Sequence, residues 1–195
     1  MTTLPGSAFA LTFDDGPDPV WTPKLLDVLR HEGVRATFFP IAPRAQAHPD
    51  LIARILSEGQ TVGLHCEQHI RHSERDAAWL RHDTRTALGR LAALGVEPAF
   101  WRTPYGDVAP WSASVAREHG LRLVGWTADT NDWRGELASD MFDATRELLV
   151  AGAIVLAHDG LGPGALRKGI GETLAYVRRV IDYARERRLR LEPLS

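Results

Sequence analysis

A chain of 195 residues can bury one substantial core and is short for two, so one domain spanning 1–195 is expected. Hydrophobic residues make up 44% and the net charge is −2, which offers no electrostatic basis for binding nucleic acid or an anionic membrane surface. No apolar run reaches the length of a membrane span, and the start Met-Thr-Thr-Leu-Pro-Gly-Ser lacks the features of a signal peptide. The chain as it stands therefore reads as cytoplasmic, or as secreted if a leader has been removed.

Short apolar runs alternate with amphipathic segments. Ala8 to Phe13 reads as a buried strand. The helix after it has Thr22 as cap and Pro23 in its first turn, faces Leu25, Leu26, Val28 and Leu29 inward, and stops at Gly33. Ala36 to Ile41 follows as strand, Asp50 to Glu58 as a helix closed by Gly59, and Thr61 to Leu64 as strand. Arg75 to Leu94 is a long helix closed by Gly95, Ala99 to Arg102 a strand, Trp111 to His119 a helix and Leu121 to Trp126 a strand. Ser139 to Val150 has helical spacing, Ala153 to Ala157 is strand, Gly171 to Arg187 helix and Leu189 to Glu192 strand.

Seven strands alternating with six helices favour an α/β fold with a parallel sheet, and their even succession suggests an incomplete or distorted barrel; an open doubly wound sheet is the alternative. No strand is followed by a Gly-x-Gly-x-x-Gly turn or a Gly-Lys-Ser/Thr loop, so nucleotide binding is unsupported. Late arginines from Arg178 to Arg190, interleaved with Asp182, Glu186 and Glu192, read as a solvated helix face.

Polar groups just past the strand ends of such a fold collect at one rim. Asp14 and Asp15 end the first strand before Gly16-Pro17; adjacent carboxylates need a cation or a division of labour, unless they merely cap the turn. His65 and His69 follow the third strand at a spacing that lets both imidazoles share an ion. One carboxylate with two histidines leaves coordination positions open, as a catalytic rather than structural site requires. Arg102 ends the fourth strand and could orient a carboxylate base such as Asp14; Tyr105-Gly106 offers a backbone N–H to an oxyanion. His158 ends the sixth strand as a candidate general acid, with Asp129 or Asp132 available to hold its imidazolium. His72 has no assigned role.

Five segments carry a family resemblance: Thr12-Phe13-Asp14-Asp15-Gly16-Pro17, His65-Cys66-Glu67-Gln68-His69, Arg102-Thr103-Pro104-Tyr105-Gly106, Asp129-Thr130-Asn131-Asp132-Trp133 and Leu156-Ala157-His158-Asp159. In this order they resemble the five motifs of the NodB-homology polysaccharide deacetylases, carbohydrate esterase family four. The resemblance implies a metal-dependent hydrolase that releases acetate from an acetylated glycan. It implies Asp14 as general base, Asp15, His65 and His69 as ligands of a divalent metal, most often Zn2+ though Co2+ or other ions serve, and Arg102 as the tether of Asp14. The Tyr105 N–H would meet the oxyanion, His158 would protonate the leaving amine with Asp129 tuning it, and Trp133, Leu156, Pro104 and Tyr105 would contact substrate.

The expected substrate is a GlcNAc-containing glycan such as chitin oligomers or peptidoglycan. Acetylated xylan, a small amide, or an inactive glycan-binding role are the alternatives. Trp21, Trp101, Trp111, Trp126 and Trp133 are candidate sugar platforms, or core residues. Cys66, the only cysteine, departs from the family, which usually has a hydroxyl there that braces the metal loop; it is read as a small buried filler, with metal ligation as the alternative. The sequence does not define an oligomeric state.

Overall fold

The structure, a computed structural model, describes residues 6–195, so most of the start that was read as lacking a leader lies outside the described residues. Strand β1 (Ala8–Asp14) is buried at every position, as its run of apolar residues demands. It pairs in parallel with β2 (Thr37–Phe39) through Thr12–Asp14 and with β7 (Ile154–His158) through Ala10–Asp14. β3 (Thr61–Val62) extends the sheet beyond β2, β6 (Ala128–Asp129) extends it beyond β7, and β8 (Arg190–Leu191) joins β1 at Ala8 and Phe9.

β4 (Phe100–Trp101) and β5 (Arg122–Leu123) form a separate parallel pair, tied to the larger sheet by a bridge between Leu64 and Trp101. The expected strand Leu121 to Trp126 is thus shortened to β5, which pairs with β4, and an unexpected strand, β6, begins beyond it at Ala128 and pairs with β7. No strand pairing joins β5 to β6 among the described residues, and this seam is where the barrel stays open. The α/β architecture is the distorted, incomplete parallel barrel expected, with eight strands among the described residues in place of seven.

Helices α1 (Thr22–Glu32), α3 (Pro49–Ser57), α4 (Ala77–Ala92), α5 (Ser112–Glu118), α6 (Ala138–Thr145) and α7 (Gly171–Glu186) occupy the expected segments. A further short helix, α2 (Ala42–Ala47), fills a stretch that had been left without an element. The Ser139 to Val150 segment winds as α helix only to Thr145 and tightens into a 3-10 turn over Arg146–Leu148. Thr22 is the first residue of α1 rather than its cap; Asp18 Oδ1 accepts from the Val20 and Trp21 N–H groups at the helix entry. Gly33 closes α1 in the left-handed conformation, φ 65°, where a side chain would be strained.

Phe9, Leu11 and Phe13 of β1 meet Leu25 and Leu29 of α1 and Val177 and Ile181 of α7 in one continuous core. Full burial of each large side chain stabilises by about 1.5–3 kcal/mol, so truncating Leu29 to Ala costs about 2–5 kcal/mol. This core fixes the sheet so that Asp14, Arg102, Asp129 and His158 all come off the carboxyl ends of parallel strands. The late arginines Arg178 to Arg190 are exposed, as read.

Candidate active site

Asp15 follows β1 in a left-handed conformation, φ 75°, unusual for a residue with a side chain. Its N–H donates to Phe39 O at 3.2 Å and its carbonyl accepts from Arg44 at 2.9 Å, so the backbone is pinned while the carboxylate turns into the rim. Asp15 Oδ1 lies 3.4 Å from His65 Nε2 and 3.3 Å from His69 Nε2. His65 Nδ1 lies 2.8 Å from the Arg102 carbonyl, which places the proton on Nδ1 and leaves Nε2 free.

Asp15, His65 and His69 place one donor atom each within 4.8 Å of one another, and Asp15 Oδ1 is buried with no hydrogen-bond donor. A carboxylate oxygen orphaned between two imidazole nitrogens is the condition a divalent cation relieves, and an N,N,O donor set suits zinc or a similar ion. The residues present therefore fit the implied metal. Cys66 is not among these donors; burial, with the nearby carboxylates, pushes its thiol well up, so it stays a neutral filler.

The loop between the two histidines is braced from α4. Asp83 Oδ2 accepts the Glu67 N–H at 3.1 Å and Asp83 Oδ1 accepts the Gln68 N–H at 3.0 Å. Burial raises the Asp83 carboxyl to about 6 despite those donors. The support expected of a hydroxyl at position 66 is supplied in this chain by Asp83, which the sequence reading missed. Its signal was an acid on the buried face of α4, in register with Leu80, Ala87 and Leu91.

Arg102 is fully buried; it donates to Asp14 Oδ1 at 3.0 Å, to Thr12 Oγ1 at 2.7 Å and to Gly125 O at 3.0 Å, and it packs over the Phe39 ring. Asp14 is thereby held in one orientation beside Asp15. Tyr105 turns left-handed at φ 58°, and its ring meets His69 edge-on at 4.5 Å. Gly106 must lack a side chain, since a Cβ there would stand 2.4 Å from the Trp126 ring.

His158, at the end of β7, places Nδ1 2.7 Å from Asp132 Oδ1. The carboxylate that holds it is Asp132, correcting the expectation of Asp129. Asp129 instead accepts the Asn131 N–H at 2.8 Å, closing the turn that delivers Asp132 to the histidine, and it remains in the cavity wall. Burial opposes the charge on His158, but Asp132, with Asp15 and Asp14 beyond, outweighs it and raises the imidazole to about 9.

Arg167 was not anticipated. It donates to Asp132 Oδ2 and Thr173 Oγ1, and to the carbonyls of His158 and Gly160 at 3.0 Å each, locking the loop after β7 onto the pair. It sits in a glycine-rich connection without periodicity, so no pattern in the sequence marks it.

Asp14, Asp15, His65, His69, Tyr105, Asp129, Trp133, Leu156 and His158 line one cavity of about 420 Å³. Pro104 is buried behind Tyr105 and is not among the lining residues. Trp126 and Trp133 line the cavity, whereas Trp101 is buried with its indole N–H on the His65 carbonyl, and Trp21 and Trp111 pack against the core. His72 is buried against Ser112 and Trp101, and burial pushes it down to about 4, so it is a neutral packing residue.

A family model described as polysaccharide deacetylase matches residues 2–124. A chitooligosaccharide deacetylase of Azorhizobium caulinodans is 30% identical over 96% of this chain and 93% of its own length. A peptidoglycan-N-acetylglucosamine deacetylase of Bacillus cereus is 36% identical over 78% of this chain and 56% of its own, so the match spans little more than half of that relative. A solved peptidoglycan N-acetylglucosamine deacetylase, in complex with a naphthalenyl N-hydroxybenzamide, superimposes with a TM-score of 0.88 at 29% identity, covering 95% of this chain and 85% of that one. On the family match, the identities and the shared distorted barrel, the chain belongs to the polysaccharide deacetylase family whose motifs its sequence resembles.

Proposed function

We propose that this chain, acting as one NodB-type domain, hydrolyses N-acetyl groups of a GlcNAc-containing polysaccharide or oligosaccharide, the substrate type named in its peptidoglycan and chitooligosaccharide relatives. The observation that carries the reading is the convergence of three metal donors, a tethered carboxylate and a carboxylate-paired histidine in one cavity.

Asp15, His65 and His69 would hold the divalent ion, zinc by donor type. Once bound, the ion supplies Lewis acidity toward the acetamide carbonyl and the attacking water. Asp14, kept in place by Arg102, accepts the proton of that water. The Tyr105 N–H, in its left-handed turn, donates to the carbonyl oxygen as negative charge develops on it. His158 gives its Nε2 proton to the departing nitrogen while Asp132 keeps the proton on Nδ1. Leu156 and Trp133 form the apolar wall for the acetyl methyl. The bond broken is the amide C–N, and the products are acetate and a free amine.

The test is acetate release by zinc-loaded protein from acetylated chitooligosaccharides, peptidoglycan fragments and acetylxylan, with a chelated control. Chelator-sensitive release from the GlcNAc substrates is expected. Silence across the panel from protein with bound metal would overturn the reading in favour of a small amide or a glycan-binding role.

A further inference from the structure

Two arginines stand at the wall of the catalytic cavity without serving the chemistry. Arg71, two residues past His69, lays its guanidinium over the Tyr105 ring at 4.3 Å, and Arg134 lies over the Trp133 ring at 5.0 Å. Both line the cavity and both are exposed. Each is propped on an aromatic wall, which orients the guanidinium while leaving its N–H donors outward.

Neither has a carboxylate within ion-pair distance among the described residues. Asp107 is the acid that feels Arg71, and its Oδ2 is occupied by the Ser73 N–H at 2.7 Å. The other acids around the cavity are already engaged. Asp14 is paired to Arg102, Asp132 to Arg167 and His158, and Asp15 is a ligand of the divalent ion. What remains is one carboxylate, Asp129, against two guanidinium groups, so the loaded cavity presents unspent positive charge beside the acetamide position. A neutral glycan offers it only hydroxyls, whereas a guanidinium binds a carboxylate through paired, charge-assisted hydrogen bonds.

We infer that the acetylated sugar taken by this cavity is adjacent to a carboxylate: the substrate is an acidic N-acetylated glycan, and Arg71 and Arg134 receive its carboxylate. This rests on the deacetylase reading and narrows it. Of the two glycans named in the relatives, peptidoglycan strands freed of their stem peptides carry a lactyl ether carboxylate on alternate sugars, whereas chitooligosaccharides carry none.

The experiment uses peptide-free strands of alternating GlcNAc and N-acetylmuramic acid, with carboxylates free or converted to amides, and neutral chitooligosaccharides beside them. Acetate release is followed for the zinc-loaded wild type and for Arg71→Gln, Arg134→Gln and the double variant, each checked for equal metal content. The wild type is expected to favour the free carboxylate over the amide by about five- to tenfold in kcat/KM, the sum of two exposed charge contacts. The preference should shrink in high salt and fall to within about twofold in the double variant. Taking the ratio on one preparation removes any effect of partial misfolding. Equal rates on free and amidated strands, or a preference that survives in the double variant, would overturn the assignment while leaving the deacetylase intact. Absence of release from every substrate, neutral ones included, would instead overturn the deacetylase reading itself.

Discussion

His158 and Asp132 are joined twice: Asp132 Oδ1 lies 2.7 Å from the imidazole Nδ1, and Asp132 Oδ2 accepts the His158 backbone N–H at 3.1 Å. Burial opposes ionisation of Asp132, but His158, Arg167 and Thr173 outweigh it and hold the carboxylate down to about 2. It is therefore a fixed anion throughout the working range. The bond sets the tautomer of His158 and leaves Nε2 as the proton-bearing atom for the cavity.

Asp132→Asn should lower kcat by about 10²–10⁴-fold, the range for losing an oriented acid. It should also move the basic limb of the pH profile downward, because the main partner that raises His158 is gone. Asp129→Asn should stay within about fivefold of wild type, since its recorded partner is a backbone N–H. Steady-state kinetics across pH on both variants checks this, and the opposite ranking would return the pairing role to Asp129.

The raised His158 carries a sign for stability as well as rate. Its folded value of about 9 lies above the ordinary 6.5, so the contribution of the charged pair is complete below about 6.5 and is lost as pH rises through 9. Asp132 works in the other direction, its contribution being present above about 4 and lost only as pH falls toward 2. Thermal melts of chelated protein should decline between pH 7 and 9.5, and His158→Gln should flatten that decline. In the zinc-loaded enzyme the limb should lie lower, because the ion offsets the pull of Asp15 and Asp14.

Much of the site was legible because its residues follow strands, and a parallel α/β alternation sends every post-strand residue to one rim. Asp14, Asp15, His65, His69, Arg102 and His158 could be placed by that rule together with their donor chemistry. Choosing between Asp129 and Asp132 could not, because they lie only three positions apart and the decision rests on Asn131, which turns left-handed at φ 52°. Arg167 and Asp83 act through loops and buried faces distant in sequence from what they hold. The shortening of Leu121 to Trp126 to β5 was hidden for a related reason: its apolar residues are those of a strand, but the chain changes partners there, the Val124 N–H donating to Trp101 O of β4 and the Thr127 N–H to Ile154 O of β7 across the seam.

Arg102 offers a test of the buried pair independent of turnover. The guanidinium is fully buried and Asp14 nearly so, so Arg102→Met strands a carboxylate in a dry setting. The expected loss is about 3–5 kcal/mol of stability at neutral pH. Adding Asp14→Asn should recover a large part of it, because no buried charge is then left unpaired. Denaturant melts of the single and double variants measure this, and a single variant within about 1 kcal/mol of wild type would show that solvent reaches Asp14.

Gly162 governs the metal ligand from outside the ligand set. A Cβ built there would stand 1.8 Å from Asp15 Oδ2, and the short Asp15 side chain cannot yield by a remote bond rotation. Its backbone cannot yield either, being held at φ 75° between Phe39 and Arg44. Gly162→Ala must then swing the carboxylate away from His65 and His69 or displace the loop that Arg167 anchors. Zinc affinity, measured by competition with a chromogenic chelator, should fall about 10–100-fold, as for loss of support behind a ligand, with turnover recovered at high zinc. Gly171→Ala, at a position with no neighbour within 4 Å, is the matched control and should bind zinc as wild type does. Unchanged affinity in Gly162→Ala would mean that the loop gives way and that Asp15 alone fixes its own geometry.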